Sequence, residues 1–412
     1  MSLHTEEPTV ALDVRAELGE GAIWDDRAGV LYWVNIAGRT LNRFDPANGR
    51  NGSIDVGEQV TTVVPLEGED NVIVGLENSV AVINPETGER LVTVPLEADM
   101  PENRSNDGKC GPNGHFYIGT MSTVRRTGSA SLYRISPDYT VEPCFGGVTV
   151  SNGIVWSPDE TKVYYIDTSS RGIDVIDYDA TTGALSNRRQ AIAVPPEYGK
   201  PDGMTIDTEG RLWVAMFHGA CVTVWDPQSA ELVSKVDIPA KNVTSVAFGG
   251  ADLSTLYATT AAIGLGPDDH GRFPTTGAIF AVKTDATGRA AYRFGGSTGS
   301  QSGSRSIETG SATVQTGSAT AQSGTAATQT ETATETTGRD TPDSHSMEPS
   351  TEQAPGASRK PHDKSSEQSP EDAESSTEDD GAPESSAKPD PWYEAGVEIE
   401  DDEELPPLPD DE

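Results

Sequence analysis

At the head of four short apolar segments a polar side chain stands immediately before glycine: Glu20-Gly21, Asp107-Gly108, Asn152-Gly153 and Asp202-Gly203. Three of the polar residues, Glu20, Asn152 and Asp202, offer oxygen only, two carboxylates and an amide carbonyl. That donor set suits a hard divalent cation, Ca²⁺, Mg²⁺ or Mn²⁺, with water completing the shell, and it leaves Zn²⁺ open. Two carboxylates bring a divalent ion near neutrality, so an open position can take a water and a carbonyl polarised by the ion as a Lewis acid. Asp107 lies in the run Asn103-Arg104-Ser105-Asn106-Asp107-Gly108-Lys109. There Arg104 can present a planar fork of donors to hydroxyl or carbonyl oxygens, and Asn106 can both donate and accept, as recognition of a polyol requires. Taken singly, Asn-Gly and Asp-Gly pairs are strong hairpin-turn signals, and an Arg on an acidic chain can simply pair with a surface carboxylate. Glu20 fits the turn explanation poorly, because Glu gains nothing from a positive φ.

Residues so far apart need a fold that gathers them, and the chain repeats itself in a way that supplies one. Six times within residues 1 to 296, a short apolar run rich in aromatic and β-branched residues is followed by a polar turn and a second alternating run. The anchoring residues Trp33, Ile73, Tyr117, Tyr164, Trp213 and Tyr257 are spaced by 40, 44, 47, 49 and 44 residues. That period, with several strands per repeat and no helical periodicity, predicts an all-β, six-bladed β-propeller with four strands to each blade. Another short strand precedes each anchor, in GEGAIWDD, TTVVP, SNDGKC, SNGIVW, PDGMTI and TSVAF. These should be the innermost strands, lining the central channel. Repeat-equivalent positions of a closed ring share one height on its axis, so Glu20, Asp107, Asn152 and Asp202 are expected to meet at one mouth. The glycine alignment favours Asp107 over Asn106 as the neighbour of an ion there.

Composition bounds the rest. Residues 1 to 296 carry 39 carboxylates against 23 cations, and residues 297 to 412 carry 27 against 6, giving net charges of −16 and −21. The second part is rich first in Ser, Thr and Gly, then in Asp, Glu and Pro. It cannot bury enough apolar area to order itself and is expected to be a disordered tail, with 391–400 (PWYEAGVEIE) as a candidate segment for a protein partner. An acidic surface argues against nucleic acid and anionic membranes as partners. With six Lys against 17 Arg in the first 296 residues, it is also the bias that a high-salt cytoplasm favours. No secretory signal pattern is present and no apolar run approaches the ~18 residues of a membrane span, so a cytoplasmic protein is expected. Cys110, Cys144 and Cys221 are odd in number and lack CxxC spacing, which points to small buried residues rather than disulfides or a zinc ribbon. Within the six repeats no G-x-S-x-G elbow and no H-E-x-x-H pair is found, and His218 and His270 are expected near the surface.

In order and separation, LGEGAIWD, NRSNDGKCGPNGHFYIGTM, SNGIVWSPD, YYIDT, PDGMTIDTEGRLWVA and TSVAFGG resemble the gluconolactonase, regucalcin (senescence marker protein) and luciferin-regenerating enzyme family over about residues 10 to 295. The resemblance implies a six-bladed propeller that holds one divalent cation at the channel mouth and hydrolyses a small-molecule sugar lactone. It implies Glu20, Asn152 and Asp202 as metal ligands, Arg104 and Asn106 as substrate contacts with Asp107 beside them, and Asp202 as the acid/base; it favours Asn106 over Asp107 at the ion. The chain departs from the family where some members carry a substrate-contacting Glu after Gly-Thr-Met: STVRRTGSASLY has no carboxylate. Arg125 and Arg126 stand there instead; facing the mouth they would favour an acidic or oxygen-rich substrate, and otherwise they are solvated loop residues. Asn35 replaces an Asp of many relatives and is given no role. A second reading, from a different class, is a Ca²⁺-binding regulatory or scaffold propeller without turnover.

Overall fold

The computed structural model describes residues 3–296, so the expectations for the tail lie outside the described residues. Among those residues, 24 strands form six four-stranded sheets, each an antiparallel meander. Five sheets use consecutive strands, over 19–55, 60–95, 103–148, 151–193 and 200–237. The sixth takes Asn242–Gly249, Thr255–Ala261 and Ile279–Lys283 and completes itself with Thr9–Leu12 from the other end of the chain. That N-terminal strand was not legible in the repeat, because its partner, Ile279–Lys283, is some 270 residues away.

The innermost strands are Gly19–Asp25, Val60–Pro65, Asn103–Cys110, Ser151–Trp156, Lys200–Ile206 and Asn242–Gly249. Each packs against the innermost strand of the blade on either side, which closes the ring. They coincide with the strands expected to line the channel. A strand enclosed on both faces carries no polar-out alternation, whereas outer strands such as Arg50–Asp55 and Glu231–Asp237 alternate between covered and exposed positions. The aromatic anchors fasten blade to blade. Trp24 stacks on Tyr257 at 5.7 Å between centroids, Tyr117 meets Trp156 at 5.1 Å, and Trp213 meets Phe248 at 5.2 Å. Such pairs add about 0.5–1.5 kcal/mol each beyond their burial.

Among the described residues helix is confined to Pro267–Arg272, in the long polar insertion of the sixth repeat, and two short 3₁₀ turns. No helix among the described residues is long and apolar enough to cross a membrane. The three cysteines are free; Cys110 and Cys221 are buried, while Cys144 is only partly covered.

The glycines after the polar residues let neighbouring innermost strands approach closely. A Cβ on Gly203 would lie 2.8 Å from the Thr244 carbonyl oxygen and 2.9 Å from Ser245 Cα, both backbone of the next blade. Gly203→Ala should therefore destabilise the chain by about 1–3 kcal/mol, as overpacking does. Gly52→Ala, where the nearest atom is 3.9 Å away, should stay within about 0.5 kcal/mol of wild type. Urea midpoints measure both, and equal midpoints would refute the tight inter-blade contact.

Candidate functional site at the channel mouth

The polar-glycine pairs sit where the ladders slip. Pairing with the next strand breaks register between Glu20 and Ile23, Ser105 and Gly108, Ser151 and Ile154, and Pro201 and Met204. The remaining innermost strands slip at the equivalent height, between Val60 and Thr62 and between Val243 and Ser245. A bulge frees residues from the ladder and re-aims their side chains, and six at one level make a ring of them.

Glu20, Arg104, Asn106, Asp107, Asn152 and Asp202 are all buried, Asp202 to 1% exposure. They form one interacting set. Burial first, then the charge of Asp107, pushes the Glu20 carboxyl up to about 8, although the Gly21 amide and Arg104 oppose the shift. Asp202 rises well above the usual carboxylate range, through burial and then the charges of Glu20 and Asp107; the nearby Asn152 amide and Gly203 N–H offset this only partly. Asp107 is raised by burial against the pull of Lys109 and of the Gly108 N–H, which donates to its Oδ1 at 2.7 Å. Three carboxylates thus face two cations, Arg104 and Lys109, and at neutral pH the surplus negative charge is met by retained protons.

Several oxygens have no donor. Both carboxylate oxygens of Asp202, Oδ1 of Asn152 and Oδ2 of Asp107 are buried without a hydrogen bond of acceptable distance and angle. Such atoms are what a hard cation would meet, so the donors fit one. Among the described residues no three His, Cys, Asp or Glu side chains converge closely enough to cage an ion alone. A cation here would therefore rest on Glu20, Asp202 and the Asn152 amide with water, while Asp107 acts on both carboxylates through its charge.

Asn106 stands differently. Its Oδ1 accepts from Arg104 Nη1 at 2.8 Å and its Nδ2 donates to the Ser151 carbonyl at 2.7 Å, so it ties Arg104 to the next blade. Arg104 Nη1 also donates to its neighbour Ser105 O at 2.8 Å.

The structure adds positioning residues that the motifs did not single out. Thr168 Oγ1 accepts from Asn152 Nδ2 at 2.9 Å and donates to the Pro201 carbonyl at 2.9 Å, so the carbonyl end of the Asn152 amide is the one left without a partner. Asp167 accepts from the N–H groups of Thr149 and Val150 and fixes the entry to Ser151–Trp156. Both lie in the YYIDT run at the end of the second strand of its blade. Asn35, given no role, accepts from Leu18 N at 3.1 Å and Gly38 N at 3.2 Å and so braces the segment leading to Glu20.

The loop arginines part company. Arg126 is exposed and pairs with Glu102 at 2.6 Å, which turns it away from the role considered for it, whereas Arg125 is half-buried and its charge bears on Lys200. His270 is exposed on the short helix, but His218 is half-buried beside Phe217, and burial with Lys200 and Lys241 depresses its pKa to about 4. A cavity lined by Ala22, Lys109, Trp156, Phe248 and Tyr292 opens along the same innermost strands just beyond the polar-glycine pairs, with Lys109 between it and Asp107.

Residues 18–262 match the family model described as SMP-30/Gluconolactonase/LRE-like region. Regucalcin of Xenopus laevis is 36% identical over 271 residues, covering 65% of this chain and 90% of that protein. YvrE of Bacillus subtilis, whose name describes a proposed sugar lactone lactonase, is 36% identical over 285 residues, 69% of this chain and 97% of that one. The crystal structure of a calcium-binding protein, regucalcin, from Agrobacterium tumefaciens superposes with a TM-score of 0.66 at 28% identity, over 70% of this chain and 97% of that chain. The chain belongs to the SMP-30/gluconolactonase/luciferin-regenerating enzyme family.

Proposed function

We propose that the chain hydrolyses a sugar lactone to the aldonic acid, with a divalent cation (Ca²⁺, Mg²⁺, Mn²⁺ or Zn²⁺) held by Glu20, Asn152 and Asp202. The observation that carries this reading is the group of buried, donorless oxygens on Asp202 and Asn152 beside Glu20. Family membership supports it, as does the name carried by the Bacillus relative.

When bound, the cation supplies Lewis-acid polarisation of the lactone carbonyl and acidifies a neighbouring water. Asp202 takes a proton from the attacking water as its oxygen bonds to the carbonyl carbon. It returns that proton to the ring oxygen as the ring C–O bond breaks, so one water is consumed and one carboxylic acid and one hydroxyl form. Arg104 and Asn106 hold the ring hydroxyls. Asn106 retains one amide hydrogen and one carbonyl lone pair beyond its two bonds within the chain. Asp107 completes the substrate-facing group through its unpartnered Oδ2. No covalent nucleophile is required.

Asp202→Asn should lower kcat about 10²- to 10⁴-fold, the range for loss of a general base, with its circular dichroism spectrum retained. Acid release from an aldonolactone at saturating cation measures this, and wild-type turnover in the variant would refute the assignment. Chelation should abolish turnover, and re-addition of the cation should restore it. A Ca²⁺-binding scaffold would instead be stabilised by the ion and open no lactone.

A second expectation concerns pH. Without a cation, the folded chain holds a proton on Glu20 up to about 8, while the unfolded chain releases it near 4.5. At Glu20 the folded state then binds more protons than the unfolded state in that window, so this group's contribution to stability is full below about pH 4.5 and is lost as pH rises towards 8. In chelator, thermal midpoints should fall over that interval. Added cation should raise the midpoint more at pH 8 than at pH 5, and Glu20→Gln should flatten the decline. Midpoints that rise with pH in chelator would contradict the buried-carboxylate account.

A further inference from the structure

On the side of the mouth formed by blades three to five, the charge pattern of the chain inverts. Lys200 opens the innermost strand Lys200–Ile206 two residues before Asp202 and is half-buried. Arg171 closes the 3₁₀ turn that begins at Thr168, in a left-handed conformation with φ 51°, and its Nη1 donates to the Gly199 carbonyl at 3.3 Å. That turn is the one whose Thr168 holds both Asn152 and the Pro201 carbonyl, so Arg171 and Lys200 are tied to the same backbone as the candidate ligands. Arg125, in the turn between the second and third strands of blade three, is half-buried.

The neighbours of these residues are neutralised. Arg126 pairs with Glu102 at 2.6 Å, Lys241 with Asp269 at 2.9 Å and Arg188 with Asp174 at 2.6 Å. Among the described residues neither Lys200 nor Arg171 has a carboxylate within ion-pair distance, and Glu197, close in sequence, is exposed and bonds to neither. In a stretch with 39 carboxylates and 23 cations, two cations near one another without a carboxylate partner leave a local positive charge that can attract an anion.

We propose that the lactone taken at this site carries a fixed anionic group, carboxylate or phosphate, away from its ring carbonyl, and that Lys200 and Arg171 receive that group. The inference rests on the lactonase reading above and names its substrate class. The acidic ring of Glu20, Asp107 and Asp202 holds the reacting end, and the cationic arc holds the charged end, so the two together fix which way the lactone enters. A charge-assisted hydrogen bond at a partly covered site is worth a factor of about ten or more in kcat/KM.

The test uses the full chain at saturating cation with three lactones: a neutral aldonolactone, an aldaric acid monolactone and a phosphorylated aldonolactone. At least one charged lactone should exceed the neutral one in kcat/KM by tenfold or more, and the better of the two identifies carboxylate or phosphate. Lys200→Gln and Arg171→Gln should each lower the charged-to-neutral ratio by about tenfold, mainly through KM, and Lys200→Arg should keep most of it. A neutral lactone used as well as both charged ones, or a ratio indifferent to the substitutions, overturns the proposal. Should no lactone be opened, the lactonase reading fails on its own. The arc is then judged by calorimetric binding of an open-chain aldarate against an alditol of equal length, and equal affinities overturn it.

Discussion

Three carboxylates from three blades, Glu20, Asp107 and Asp202, are buried together at one end of a channel, and the architecture is organised around holding them there. Like charges in a poorly solvated space repel strongly, and a flexible loop would relieve the repulsion by opening to water. The propeller prevents this by placing each carboxylate on an innermost strand locked between two neighbours. Ring closure is what makes the lock complete. Because Thr9–Leu12 pairs with Ile279–Lys283, the sixth blade joins the two ends of the domain, and no blade can tilt outward without breaking that ladder.

Bulge and glycine do complementary jobs at each position. The slipped register releases Glu20, Asp107, Asn152 and Asp202 from the side-chain alternation of their strands, and the glycine that follows gives up its Cβ so the next strand can lie close. At Gly153 an added Cβ would come within 2.8 Å of the Asp202 carbonyl, so the spacing between two candidate ligands depends on the missing side chain. Further out, Thr168 and Asp167 hold amide and backbone in place, and Tyr165 steadies Ser151 through its hydroxyl at 2.7 Å. Rigid strands set the reacting groups and loops surround them, a division that suits a site whose ligands must not move.

The repeat period was legible because every blade solves the same packing problem with the same run of aromatic and β-branched residues. The height of the site was legible because four copies spend a polar residue and a glycine where the other two carry Thr61 and Thr244. The closing strand was not, since Thr9–Leu12 resembles no other copy and acquires meaning only from Ile279–Lys283. Between the mouth and a solvated loop position, Arg126 takes the loop: its partner, Glu102, precedes the innermost strand of its own blade, and sequence alone does not say which of two adjacent arginines turns back. Asn106 and Asp107 differ in their bonding. Asn106 commits its amide to Arg104 and Ser151, whereas Asp107 keeps an oxygen without a donor and shifts Glu20 and Asp202 by its charge.

The split between strands and loops also explains how one ring can serve different ligands. Glu20, Asn152 and Asp202 sit at equivalent bulges, so altering any of them disturbs the packing of two blades and the protonation of the other carboxylates. Arg125 and Arg171 sit in connections between second and third strands, and Lys200 sits at the first residue of its strand, where the ladder begins. Changing those side chains costs little packing, because they are exposed or half-covered. Electrostatic character at the rim can therefore vary while the acidic ring beneath stays constant. In this chain the rim has turned positive over Asp202 even though the domain as a whole carries a net charge of −16. Lys200 and Arg171 belong to the backbone that leads into Asp202, so the fold itself places their charge beside the buried acid ring.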